Sequence, residues 1–271
     1  MSDILRSDLH SHTNWVDGRD SPEDMVLGAV AAGLEEFGIS EHVALPAPNP
    51  VWEVFPLGLR PDRAKAHADA VAALAVKYAG RIRVRRGYEA DYVREASFPD
   101  RGLYEPLAPD YLIGSVHFLR APDGTIASVG TGKSAMAAFD AALRELWGGS
   151  PERLARAYFA AEREMVSRFD FDVVAHPDLI LHHNRDRVVF DTAAPWWREE
   201  LEATADAIAA SGKAVEINTG GLFRGLVPDA YPAKPFRDLL RARGVKFVLS
   251  SDAHRSDAIA HAFGRFAGEL R

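Results

Sequence analysis

Asp8-Leu9-His10-Ser11-His12-Thr13 is the stretch from which the fold can be read. Side chains two apart on an extended strand point to the same side, so His10 and His12 are delivered to one spot. Imidazole nitrogen is a common ligand for zinc, iron or manganese. The plainer alternative is a strand carrying two half-buried histidines. It loses ground at the far end of the chain. There Ser251-Asp252-Ala253-His254 repeats the same-face pairing after another apolar run.

Composition bounds what such a cluster can be. The chain has 271 residues, 47% hydrophobic and 26% charged, ordinary for a soluble globular protein and long enough for one α/β barrel. It has no cysteine, so disulfides and thiolate metal sites are excluded. Any metal must be held by histidine, carboxylate, backbone or water. A cysteine-free chain is compatible with a reducing cytoplasm, and a cytoplasmic location is expected. No apolar stretch reaches membrane-spanning length. Met1–Arg6 lacks the basic start and long apolar core of a signal peptide. The formal charge of -7 argues against an extended nucleic-acid surface, although a metal cluster can attract a phosphate locally.

Short β-prone runs alternate with longer amphipathic ones, with no clear repeat. Strands are expected near 6–10, 36–42, 82–89, 111–118, 172–176, 214–219 and 246–252. Helices are expected over 22–32, 61–79, 151–168, 195–210, 235–243 and 257–268. This alternation predicts a parallel sheet or barrel. Ser21-Pro22 and Ser150-Pro151 read as capped helix starts. Three long connections, 41–61, 91–109 and 220–235, have the length of loops that cover sites.

Placed on these strands, the candidate donors fall at the strand ends. His10 and His12 leave the first strand, His42 ends the second, Glu89 the third, His117 the fourth, His176 the fifth, and Asp252 with His254 the seventh. Parallel barrels gather these ends on one face, where barrel enzymes carry out their chemistry. There are too many donors for one four-coordinate ion, so two or three divalent ions are expected. Glu89 is the natural bridge, because a carboxylate can hold two ions whereas a neutral imidazole holds one. Neighbouring cations that trap hydroxide and clamp phosphate oxygens suit phosphoester hydrolysis. His67 and His261 read as helix-packing or solvated residues. His182 and His183 follow the fifth strand and are weaker candidates.

Asp8–Thr13, Glu41-His42, Glu89, His117, His176 and Asp252-Ala253-His254 together resemble the motif series of the polymerase and histidinol phosphatase (PHP) family. The resemblance spans nearly the whole chain and implies a distorted (β/α)7 barrel formed by residues 1–271 as one domain. It implies that His10, His12, Glu89 and Asp252 hold one metal and that Glu89, His117 and His176 hold a second. It further implies that His42 and His254 hold a third with a ligand from the loop after His12. Asp17, in Val16-Asp17-Gly18, fits that last position, and Asp20 is nearby.

Gly87–Tyr92, Gly114–Phe118 and Glu216–Arg224 resemble the histidinol-phosphate phosphatases of the family. The last of these continues to Tyr231-Pro232. In that subfamily an arginine in this loop contacts substrate phosphate. Arg224 is the best match, ahead of Arg255 and Arg185. Phe223 separates Leu222 from Arg224, Ala233-Lys234 replaces the usual serine, and the loop after His176 lacks the expected basic pattern.

The resemblance therefore implies a metal-dependent hydrolase of a small phosphorylated metabolite, L-histidinol phosphate foremost, as in histidine biosynthesis. Zinc, iron and manganese all suit the donors. Arg224 is expected on the phosphate, with Asp252 or His254 protonating the leaving group. Tyr92, Phe118 and the Trp52–Phe55 loop are expected as pocket walls. The alternatives are another PHP-type phosphoesterase (a phosphodiesterase, a nuclease or a protein-tyrosine phosphatase) and a non-catalytic metal-binding module.

Overall fold

The computed structural model describes residues 6–56, 58–130 and 135–270. The signal-peptide reading on Met1–Leu5 therefore lies outside the described residues. Seven strands pair in parallel: β1 (Ser7–Asp8), β2 (Glu36–Val43), β3 (Arg83–Asp91), β4 (Tyr111–Ser115), β7 (Val173–Val174), β8 (Ala214–Asn218) and β9 (Phe247–Ser250), in that order across the sheet. The first and last strands approach each other. Ser11 bridges Ala253 in parallel, and His12 donates its N–H to the Ala253 carbonyl at 2.9 Å. Buried Asp8 joins the same edges: one oxygen accepts from Ser251 N at 3.0 Å, the other from Ala260 N at 3.2 Å. The sheet is thus a nearly closed, distorted (β/α)7 barrel, as expected.

Register sets the site. Because β2 and β3 pair His42 with Glu89, those two side chains emerge at the same height. Helices Pro22–Ala31, Pro61–Tyr78, Pro151–Arg168, Pro195–Ser211 and Lys234–Ala242 cover the outside. Ser21 caps the first with a reciprocal Ser21–Asp24 capping box, an arrangement that contributes about 1 kcal/mol. Aromatic residues such as Tyr158, Phe159 and Phe236 fill the larger apolar core. Met25, Phe37, Ile39 and Val84 fill a smaller one.

Three expectations change. The fourth strand stops at Ser115, and Phe118 opens a separate antiparallel hairpin of β5 (Phe118–Arg120) and β6 (Ile126–Ser128). A helix at Ala135–Leu146 was not anticipated. The helix expected over 257–268 is instead three short turns, because Ala260 and Ala262 take left-handed backbone angles (φ 55° and 57°). The Asp8 bond to Ala260 N fixes that break.

Candidate metal centre

The strand ends bring the expected donors into one cavity. Glu89 lies at its centre. Oε2 is 3.0 Å from His42 Nδ1, 3.2 Å from His10 Nε2 and 3.3 Å from His12 Nε2. Oε1 is 3.1 Å from His176 Nε2 and 3.6 Å from His117 Nε2. Asp252 Oδ1 reaches His12 Nε2 at 3.3 Å and His10 Nε2 at 3.9 Å. On the outer side, Asp17 Oδ2 is 3.3 Å from His254 Nε2 and 3.8 Å from His42 Nε2.

Local backbone makes these approaches possible. Asp252 sits at φ 48° and His176 at φ 20°, angles that cost a non-glycine residue about 1–3 kcal/mol unless the surroundings impose them. At Gly18 a β-carbon would lie 2.5 Å from the His12 carbonyl oxygen, so only glycine lets the turn carrying Asp17 fold onto His12. Gly220 likewise passes within reach of Ser251 and Asp252, which brings the turn bearing Arg224 onto the site.

Arg224 arrives beside the cluster. Its Nη2 donates to Asp252 Oδ2 at 2.9 Å, and Nη1 lies 3.3 Å from His254 Nδ1. Asp20 faces elsewhere and accepts from the N–H and hydroxyl of Ser256 at 2.7 and 2.8 Å. Asp17 is therefore the acidic residue that joins the cavity. Arg255 pairs with Asp257 and Arg185 with Asp186. Phe55 meets the His42 ring edge-on at 5.3 Å and neighbours Phe118. These two therefore lie beside the histidine cluster, whereas Tyr92 is buried against Phe169 and Trp52 lies beneath Arg60.

Burial alone raises the Glu89 carboxyl, but His42, His10 and His117 hold it well below the usual range. Burial also raises Asp252, and Arg224 with the nearby histidines outweighs it. His12 is pushed down by burial and by the neighbouring His254 and His42.

The donors fit divalent cations on one structural ground. Among the described residues, His10 Nε2, both nitrogens of His12, His42 Nδ1, Asp17 Oδ1 and Glu89 Oε2 are buried without a hydrogen-bond partner. Buried polar atoms are normally paired, and here the unpaired ones face one another. Four groups can each surround an ion: His10, His12 and Glu89; Glu89, His117 and His176; His12, Asp17, His42 and His254; and His42, Asp91 and His117.

Sequence reading assigned no role to three residues around this cavity, although Glu41 stands in the Glu41-His42 motif. Glu216 is buried and accepts from His10 and the His176 backbone. Its signal was a carboxylate inside the apolar run Val215–Ile217. Asp91, two residues after Glu89 on the same strand face, lies 2.8 Å from His117 Nδ1. Glu41 accepts from the N–H and hydroxyl of Thr13, and burial pushes its carboxyl up to about 8. His67 is buried against Trp15, 3.8 Å from Glu41, so it packs and is not solvated. His183 stacks on Phe139 at 3.5 Å and His182 lies 2.6 Å from the Leu179 carbonyl. Neither is among the grouped donors.

Comparisons with known proteins agree with this geometry. The PHP domain model matches residues 8–220. A Deinococcus radiodurans protein named "Probable histidinol-phosphatase" is 30% identical, with 97% of this chain and 92% of that protein covered. The Bacillus subtilis "Histidinol-phosphatase" is 22% identical over 97% of this chain and 98% of its own. Among solved structures, histidinol phosphate phosphatase from Lactococcus lactis, in complex with zinc, L-histidinol and phosphate, shares the fold. Its TM-score is 0.70 at 19% identity, covering 98% of this chain and 92% of that one. A Listeria monocytogenes structure assigned as a histidinol phosphatase gives 0.82 at 22% identity, covering 96% and 99%. The chain belongs to the PHP domain family.

Proposed function

We propose that this protein is a metal-dependent phosphatase that hydrolyses L-histidinol phosphate to L-histidinol and phosphate. The observation that carries the reading is the likeness to histidinol-phosphatases over nearly the full length of the chain, and the cavity contains the donors this chemistry needs. His10, His12, Glu89 and Asp252 would hold one cation, and Glu89, His117 and His176 a second. Asp17, His42 and His254 would hold a third. Bound divalent cations would supply a water of lowered pKa and charge neutralisation at the phosphoryl oxygens.

The rest falls to side chains of this chain. Arg224 offers two parallel N–H donors to phosphate oxygens and is held at the cavity by Asp252. Asp252 and His254 flank that guanidinium, and since the Asp252 carboxyl is held ionised, either would assist the leaving alkoxide by holding the water that gives it a proton. Phe55 and Phe118 shield one side from water. The substrate is a small phosphorylated molecule. No helix of the described residues is long and apolar enough to cross a membrane. We read residues 1–271 as one catalytic domain, because strands near both ends contribute donors to one cavity. A cysteine-free composition supports a cytoplasmic setting.

The test is phosphate release from L-histidinol phosphate, aryl phosphates and a phosphodiester, each with and without chelator. Chelator-sensitive turnover strongest on histidinol phosphate is expected. Preference for the diester, or no turnover by metal-loaded protein, would overturn the assignment.

A further inference from the structure

We propose that Glu216 is a positioning residue that sets both His10 and His176 for cation binding without touching a cation itself. The proposal rests on the cavity holding metal, as argued above, and not on which substrate is hydrolysed.

Glu216 is fully buried, and both its oxygens are in use. Oε2 is 2.8 Å from His10 Nδ1 and accepts from Ser250 Oγ at 2.5 Å. Oε1 accepts from the His176 backbone N–H at 3.0 Å and from Asn218 Nδ2 at 2.6 Å. Four donors occupy this carboxylate, so no lone pair is left to face the cavity. An ionised carboxylate only accepts. His10 must therefore carry its proton on Nδ1, which leaves the Nε2 lone pair aimed at Glu89 and Asp252. The second oxygen fastens the backbone of His176, the residue at φ 20°, where its Nε2 lies 3.1 Å from the other oxygen of Glu89.

His10 and His176 belong to the two donor groups that share Glu89. One buried side chain thus fixes a ring tautomer in one group and the backbone in the other. An outer carboxylate of this type orients the ring and raises its basicity, and its loss typically weakens metal binding 10- to 100-fold.

Glu216→Gln keeps the shape but places an N–H donor where an acceptor stood. If it faces His10, the ring must move its proton to Nε2 and lose its inward lone pair. If it faces His176, the backbone N–H loses its acceptor. The experiment removes metal with chelator, titrates zinc back and reads stoichiometry and affinity, with the thermal midpoint of the metal-free protein as a folding control. Expected is a 10- to 100-fold loss of zinc affinity in folded Glu216→Gln, with Glu216→Asp intermediate. Unchanged affinity in folded Glu216→Gln overturns the proposal.

A second measurement needs no variant. Nitrogen-15 shifts of the His10 ring in zinc-loaded wild-type protein should show a protonated Nδ1 and a metal-bound Nε2. The reverse assignment overturns the proposal even if Glu216→Gln does not fold. Both readouts are independent of hydrolysis, so zinc binding that depends on Glu216 without turnover would sink the proposed substrate and leave this inference standing.

Discussion

Asp252 turns one oxygen to Arg224 and the other to His12: Oδ2 accepts from Arg224 Nη2 at 2.9 Å, and Oδ1 lies 3.3 Å from His12 Nε2. The cationic arm and the donor cluster are therefore joined through one carboxylate. An incoming phosphate would meet Arg224 already oriented, which lowers the ordering cost of binding.

Arg224→Ala should thus weaken phosphate binding while leaving the cations in place. A lost charge-assisted contact is worth about 1.5–3 kcal/mol, or roughly a 10- to 100-fold fall in kcat/KM. Steady-state kinetics and inhibition by inorganic phosphate measure the first effect, and metal analysis the second. Lost metal with unchanged KM would place Arg224 in support of Asp252 alone.

Asp17 and Asp20 lie three residues apart and should behave differently. Asp17 faces His254 and His42, with Oδ1 buried and unpaired among the described residues. Asp17→Asn should lower bound metal by up to one ion per chain, with the remainder retained. Asp20 ties the Ser256 backbone and hydroxyl. Asp20→Asn should keep the full metal complement and cost about 1 kcal/mol of stability. Elemental analysis and thermal unfolding of both variants check the pair, and equal metal loss in both would remove the distinction.

The donors themselves were legible because each ends a β-prone run, and parallel pairing carries such ends to one face. His10, His42, Glu89, His117, His176 and Asp252 could be placed from the sequence pattern alone. The carboxylates behind them could not. Glu216 lies inside Val215–Ile217, and only the closing of the barrel shows that it lies beneath His10 and His176 rather than facing solvent. The lost helix over 257–268 has a similar cause. Its residues suit a helix locally, but Asp8, some 250 positions earlier, claims the Ala260 N–H. The Phe118–Ser128 hairpin escaped because three-residue strands carry too little alternation to read.

Removing metal should cost stability as well as activity. Without cations, the cavity keeps unpaired buried nitrogens and carboxylate oxygens, each a desolvated group with no partner. At 100-fold excess over its dissociation constant, one bound ion stabilises the folded state by about 2.7 kcal/mol. Chelation should therefore lower the thermal midpoint by several degrees, and zinc or manganese should restore it. An unchanged midpoint would mean that the folded protein gains nothing from metal.

Glu162 should make stability fall as pH rises from its ordinary value of 4.5 to about 8. It faces the core from helix Pro151–Arg168, fully buried, with neither oxygen hydrogen-bonded among the described residues. Burial pushes its carboxyl from the ordinary 4.5 up to about 8, against a smaller opposing effect of Tyr158. Between these values the folded state binds a proton that the unfolded chain releases. The associated stability is fully present below the ordinary value and is lost as pH rises through about 8. Asp178, raised by burial to about 7, adds to the same slope, so removing Glu162 flattens the decline without abolishing it. Glu162→Gln should match wild type near about pH 5 and exceed it near about pH 9, by on the order of a few kcal/mol. Thermal unfolding of both proteins with saturating metal across that range measures the difference. Parallel stability curves would show that Glu162 ionises in the folded protein as readily as in the unfolded one.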